Sequence, residues 1–442
     1  MGKQIIFIVV LLLIATANAQ EKPLSYKQVD STTYDQYLKQ DWKSLLELGK
    51  QSRTEGIDFY YLKVRMGIAY FKENKMLSAI QLLEEAYKVN SYDVVVQEYL
   101  YWAYRYGGLL LESRLFYGKM DKKLKEQIKL DVPFVTSLNF NMLATNNLDY
   151  DELLKSDAAS NNNDIRFLPK NYQLFSLGMN HPLSKKVNLY HQLSVMPTNS
   201  VQQENEGGSL VNKSYSGNES RYYADVTVAL GNRWYFDTYL NVIFGKYDNI
   251  NVDNTVVSGG GGSRWASSSS SASTIRYTDF VFGGSITKAS YFVRNTVNVS
   301  VSNLNGLNQF QAGYSLSLYP LGSTLFVPFG SIQYQNQDPD STIVFTGGLS
   351  YNTEKFSITG FGTVGELNNF IANNGAIIYN QSATALNEFG ASLQFFGKNS
   401  IIKVGYSFME MEDNYYNENF DKTTKTFNFN QQNITAGITW KF

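Results

Sequence analysis

The chain has 442 residues, 38 basic against 39 acidic, with 32 Tyr and 28 Phe but no Cys. This balance gives no sign of a polyanionic partner such as nucleic acid. The missing Cys excludes disulfides, thiolate metal sites, a thiol nucleophile and a lipid-modified N-terminal Cys.

The chain opens on "MGKQIIFIVVLLLIATANAQ", in which basic Lys3 precedes an apolar run from Ile5 to Ile14 and a small-x-small end at Ala17-Asn18-Ala19. That order predicts a secretory signal peptide over residues 1–19, cut before Gln20, with 20–30 as a linker. An N-terminal membrane anchor is the rival reading, but the run is short for a span of about 20 residues. No other run of about 18 apolar residues occurs, so no helix is expected to cross a membrane after it.

Over residues 31–128 the apolar period is helical. In "YYLKVRMGIAYFKENKMLSAIQLLEEAYKV" apolar side chains recur three and four apart, and polar "KENK" at 72–75 reads as the turn between paired helices. Small Gly67, Ala79 and Ala86 would let the pair approach closely. With Gly67 and Tyr70 on the first helix and Ala79, Leu83 and Ala86 on the second, the stretch resembles a tetratricopeptide repeat. Ser91 stands at the usual closing Pro and Lys63 at the first-helix Trp position. "YDQYLKQDWKSLLELGKQ" before it, and "VVVQEYLYWAYRYGG" and "LLLESRLFYGKM" after it, supply flanking helices. A small helical bundle would present the same pattern.

From 129 to 442 the period is two. "YYADVTVALGN" sets Tyr222, Ala224, Val226, Val228 and Leu230 against Tyr223, Asp225, Thr227 and Ala229, and "YFVRNTVNVSVS" and "FQAGYSLSLY" repeat the theme. Fourteen such segments are expected, beginning near 132, 171, 187, 221, 234, 275, 290, 308, 324, 341, 355, 384, 400 and 424. Connections such as "LSKK", "GNRW" and "GKNS" are short. The alternate set, at 143–170, 197–220, 247–274, 335–341, 366–383 and 411–423, reads as long polar loops, with "NLNGLN" at 303–308 a short exception. One face is apolar and the other rich in Ser, Thr, Gly, Asn and Tyr. Even strand number and loops of alternating length predict an all-β transmembrane barrel of about 14 antiparallel strands, preceded by a small all-α domain. Closure leaves no unpaired strand edge in hydrocarbon.

The last segment, "NITAGITWKF", places Ile434, Ile438, Trp440 and Phe442 on one face. In this it resembles the final strand of bacterial outer-membrane barrels, which commonly ends in an aromatic residue read by the barrel-insertion machinery. Barrel plus helical segment also resembles exopolysaccharide-export porins and the YaiO-like family. These resemblances imply a Gram-negative outer-membrane location, with outer-membrane lipid and the insertion machinery as partners. They also imply a periplasmic helical module that docks a protein or polysaccharide.

Charged residues on the polar face are the candidate lumen-lining groups: Asp225, Asp237, Asp279 and Arg294 on consecutive segments, and Glu388, Lys403 and Lys441 on the last three. They could bias which solutes pass, or pair with one another and with Tyr hydroxyls to satisfy a filled interior. The two His residues, His181 and His191, make no metal site without further ligands. Ser194 lies three residues after His191, so the two point to opposite faces of a strand and form no catalytic pair. Neither enzyme activity nor a cofactor is expected. "SGGGGSRWASSSSSAS" at 258–273 lacks the Gly-Lys-Ser/Thr ending of a phosphate loop and reads, like "NNN" at 161–163 and "MEDNYYNENFDK" at 411–422, as loop material. The expected function is a porin-like transport barrel for a hydrophilic solute such as a polysaccharide. The alternative is a surface or assembly protein anchored by its barrel, which a plugged lumen would mark. A barrel enzyme is a third reading.

Overall fold

The structure is a computed structural model and describes residues 23–130, 132–155, 164–206, 209–248, 274–337, 339–417 and 422–442. The signal peptide, the Gly/Ser stretch at 258–273 and "NNN" at 161–163 lie outside the described residues. The chain forms two compact units, one ending at Ala103 and one running from Tyr104 to Phe442.

The first unit is helical: α1 (Tyr26–Leu38), α2 (Trp42–Thr54), α3 (Tyr60–Lys72), α4 (Met76–Val89) and most of α5 (Val94–Tyr106). Ser25 and Asp41 cap α1 and α2 by accepting backbone N–H groups of Gln28 and Ser44. Val29, Leu45, Leu62, Met66, Ala69 and Leu82 form one core. The α3–α4 turn falls within "KENK", with Asn74 left-handed at φ 55°. A β-carbon on Gly67 would stand 2.8 Å from the Leu83 side chain, so the small residue is what lets these helices meet. Ala79, Leu83 and Ala86 are fully buried.

In the second unit, α6 (Leu110–Tyr117) and α7 (Lys122–Ile128) precede the strands. Fourteen strands close into a barrel: β1 (Ser137–Asn147), β2 (Arg166–Pro182), β3 (Val187–Glu206), β4 (Ser209–Gly231), β5 (Trp234–Asp248), β6 (Thr274–Ala289), β7 (Val293–Ser302), β8 (Gln309–Leu318), β9 (Phe326–Gln337), β10 (Asp340–Asn352), β11 (Phe356–Leu367), β14 (Thr384–Phe396), β15 (Ser400–Tyr416) and β16 (Lys422–Lys441). Every ladder is antiparallel, and β16 pairs with β1 from Lys441↔Ser137 to Gln431↔Asn147. A separate hairpin, β12 (Phe370–Ala372) and β13 (Ile377–Tyr379), pairs only with itself.

The alternation carries through to the wall. Val297, Phe345 and Ile434 are more than half exposed on the outside, while the residues between them face the lumen. One rim holds the short turns and both ends of the barrel. At its β4–β5 turn, Asn232 and Arg233 both have positive φ (50° and 62°), the geometry of a two-residue hairpin. Leu109, Leu111 and Leu115 pack on Ala229, Tyr235 and Ala289, so α6 seats on this rim. Glu112 accepts the Arg233 backbone N–H at 2.9 Å.

The far side departs from expectation. The 197–220 stretch is strand, not loop: β3 and β4 pair through to Glu206↔Ser209. From Val211 to Ser220 less and more exposed positions alternate as in any strand, and a run this polar carries no apolar period to mark it. Likewise most of 335–341 is strand, with Gln337 of β9 paired to Asp340 of β10, and most of 411–423 extends β15 and β16. The wall is uneven in height, with 20 and 23 residues in β3 and β4 but 10 each in β7 and β8. The 366–383 segment, expected as a long outside loop, folds back into the barrel. The 303–308 link also turns inward, as a single helical turn at Leu304–Gly306 with Leu304 fully buried.

The same inward folding explains an oddity in β16. Phe427 and Phe429 stand at odd positions, whereas the apolar residues from Ile434 to Phe442 stand at even ones. The β15–β16 register runs unbroken from Ser400↔Trp440 to Asn414↔Thr426. Phe427 and Phe429 face the lumen, 7 % and 2 % exposed, because apolar chain fills it there.

Candidate functional site

The site is the lumen and the segment that fills it. Two β-bulges send the chain inward. Between β11 and β14 the register shifts at Val364/Leu367, and between β14 and β15 it shifts at Ala385/Asn387. Gly365, inside the first bulge, has φ +125°, and a β-carbon there would stand 2.6 Å from the Ile343 carbonyl oxygen. Only glycine fits both demands.

The β12–β13 hairpin then lies between two apolar surfaces. Phe370 packs with Leu168, Val344, Leu367, Met409, Met411 and Phe429. Ile371 and Ile378 pack with Tyr239, Ile243, Val281 and Leu304. The short helix α8 (Tyr150–Lys155) adds Tyr150, Leu153 and Leu154 to the first surface.

Backbone groups buried in this way need partners, and wall side chains supply them. The Gln335 amide donates to Asn368 O at 2.8 Å, Gln311 to Ile371 O at 2.6 Å and Asn241 to Gly375 O at 2.9 Å. The Tyr223 hydroxyl donates to Asn374 O at 2.9 Å. Arg221 Nη2 donates to Asn380 Oδ1 at 3.0 Å while forming a 2.6 Å ion pair with buried Glu219, which itself accepts from Asn380 Nδ2 at 3.3 Å. Buried Arg166 caps α8 by donating to Leu153 O. Between plug and wall remains a cavity of about 60 Å³ bordered by Tyr172, Tyr215, Tyr247, Met196 and Gln381, room for a few waters.

The candidate lumen-lining charges do not form one group. Asp225 and Asp237 are brought together: the Thr227 hydroxyl lies 3.3 Å from Asp225 and 2.7 Å from Asp237. Ser285 donates to Asp237 at 3.2 Å, and Tyr223 approaches Asp225 at 3.5 Å. Arg294 forms no ion pair with them and is exposed one residue into β7. Asp279 and Glu388 belong to the plug's surroundings. Asp279, 3 % exposed, accepts the Asn305 backbone N–H at 3.3 Å, and Glu388 accepts the hairpin's Tyr379 hydroxyl at 2.6 Å. Lys403 is exposed three residues into β15, towards the short-turn rim, and Lys441 ends β16 on that rim. On this half the inward Ser350, Thr359, Ser392 and Thr439 remain partly exposed, whereas Ser285, Thr287 and Ser357 are buried, so part of the lumen below the plug is accessible to solvent. Ser194 faces inward on Ser176 at 3.0 Å, whereas His191 meets His181 at 3.0 Å on the outer face.

Sequence reasoning missed the plug-holding groups. One signal was present: Gln309, Gln311, Gln333, Gln335 and Gln337 all stand at odd positions of adjoining segments, so one inner face carries five amides. Glu219 and Arg166 lie in stretches that read as loop, and Arg221 at the first position of a segment.

An apolar exterior, a polar and partly filled interior and a closed antiparallel ladder define a transmembrane β-barrel. No protein family and no curated protein matches the sequence. Among solved structures, the toluene transporter TodX of Pseudomonas putida is similar at 10 % identity and TM-score 0.43, over 70 % of this chain and 91 % of that one. A Pseudomonas aeruginosa FadL homologue is similar at 9 % identity and TM-score 0.42, over 70 % and 90 %. A bacterial polysaccharide outer membrane secretin is similar at 8 % identity and TM-score 0.35, over 71 % and 100 %. The assignment of the barrel rests on its own ladder.

Proposed function

We propose that this protein is a gated outer-membrane channel for a hydrophilic solute, closed at rest by the β12–β13 hairpin. One observation carries the reading. The occluding element is separable: it pairs with no barrel strand, and a bulge lies at each of its roots. Its displacement would leave all fourteen wall ladders intact and expose amide, hydroxyl and carboxylate groups along the lumen. With the short-turn rim in the periplasm, the wet half of the lumen faces the cell interior. A polysaccharide is one candidate solute, and the preceding helices are candidates for docking a periplasmic protein or the polymer itself.

The filled outer half favours a second reading, a barrel that only anchors surface loops. Planar-bilayer recording separates the two. A gated channel gives brief openings in the full chain and sustained openings when residues 368–380 are replaced by a short Gly/Ser link. A full chain that never opens, across solutes and voltages, supports the anchor.

A further inference from the structure

We propose that the short-turn rim carries a binding site for the phosphate headgroups of anionic phospholipids in the adjoining membrane leaflet. The inference needs the barrel to span a membrane, as read above, but does not need it to conduct. Two distant stretches of sequence build the site: the α6–α7 region, with Lys119, Lys122, Lys125 and Lys129, and the β2–β3 turn, with Lys185 and Lys186. The Lys185 ammonium lies against Gly118, 3.9 Å from where a β-carbon would stand. None of these lysines forms an ion pair with a carboxylate among the described residues, although the whole chain carries a net charge of −1. From Lys119 to Lys129 five lysines stand against two acids, Asp121 and Glu126, so the stretch keeps a net positive charge. Asp121 accepts the Lys123 backbone N–H at 2.8 Å, and Glu112 is committed to the Arg233 backbone. Among the described residues, Glu126 is the one acid bordering the cleft, an open space of about 380 Å³ between Tyr117, Leu130 and the lysines of α7.

Placement selects a lipid over a dissolved anion. The β2–β3 turn ends strands whose outer faces carry Leu177 and Leu193, and Leu183 in the turn is 54 % exposed. On the same rim, Lys288 lies 5.0 Å over the Trp234 ring, the aromatic and basic pairing of a membrane interface. The leucines of α6 hold the patch at this level. An acyl chain can therefore lie along the barrel wall while its phosphate reaches the lysines. Clustered cations beside a bilayer attract anionic lipid, and salt weakens the attraction.

Native mass spectrometry of the full chain released from detergent tests this, with phosphatidylglycerol or phosphatidylcholine added. Phosphatidylglycerol adducts should persist and phosphatidylcholine adducts should not. Lys122→Gln/Lys125→Gln/Lys129→Gln should lower retention at least fivefold, Lys185→Gln/Lys186→Gln should also lower it, and the corresponding Arg substitutions should restore it. A heat-modifiable band on a denaturing gel confirms that each variant keeps its barrel. Equal retention of both lipids, unchanged retention in the Gln variants, or full displacement by inorganic phosphate overturns the proposal. Conductance is recorded separately, so a silent channel and a missing lipid site remain distinct results.

Discussion

Gln311 meets Ile371 twice: its amide nitrogen donates to the Ile371 carbonyl at 2.6 Å, and its amide oxygen accepts the Ile371 N–H at 3.1 Å. A side chain on the barrel wall thus supplies the pair of bonds that a neighbouring strand would supply. The hairpin is satisfied in place without joining the sheet.

Gln311→Leu keeps bulk but leaves both Ile371 backbone groups buried and unpaired. The expected cost to the docked hairpin is about 2 kcal/mol, roughly thirtyfold in its docked-to-undocked ratio. Open-channel time in planar bilayers should rise accordingly. Unchanged gating, with the barrel intact, would show that the contact does not restrain the plug.

Asp225 and Asp237 face the wet half of the lumen with hydroxyl partners and no cation between them. Asp225→Asn/Asp237→Asn should lower cation preference, read as a smaller reversal potential in a salt gradient, without altering the plug. If selectivity stays the same, these carboxylates do not set it.

The barrel seam ends where the Phe442 N–H donates to the Thr136 carbonyl at 3.1 Å. Removing Phe442 takes away that bond, worth about 1 kcal/mol, together with a rim-facing aromatic ring. The expected result is less heat-modifiable barrel in the membrane fraction at equal secretion. Normal barrel levels would remove Phe442 from any part in assembly.

In the helical unit, Tyr60 donates to Asp93 at 2.7 Å. Burial, then the Asp93 hydrogen bond and charge, raise its hydroxyl pKa. A raised pKa in the folded state means that the stabilisation is complete below the ordinary tyrosine value near 10 and is lost as pH climbs through the folded value. Helical circular dichroism under mild denaturant should hold to about pH 10 and then fall. In Tyr60→Phe that fall should be shallower. An identical alkaline profile would place the sensitivity in the other buried tyrosines of these helices, Tyr37, Tyr70 and Tyr99.

The wall was legible because its instructions are local. Period-two patterning set the starts of β3, β5, β14 and β15 to the residue, and the α3–α4 turn fell where "KENK" placed it. The plug was not legible, because entering the lumen is a long-range choice. Phe370, Ile371 and Ile378 sit among Asn and Gly, as in any exposed loop. Their burial depends on groups far away in sequence, such as Tyr223, Asn241 and Gln311. The far part of β3 is hidden for the converse reason: Thr198, Ser200 and Gln202 are polar, so no apolar period marks the strand. The mutual placement of Asp225 and Asp237 followed from the same alternation that set the strands, whereas Asp279 and Glu388 acquire their roles only once the hairpin is inside.

The unequal strands give the barrel a direction. Beside β7 and β8, the β3–β4 wall rises by 10 to 13 additional residues. At about 3.3 Å each, this adds tens of ångströms along the strands. Among the described residues, the wall opposite the short-turn rim is therefore cut on a slant, like a quill. Were the proposed channel to pass a polymer, that chain would be backed by a tall polar slope on one side and by the low β7–β8 wall on the other, so its exit would be directed sideways.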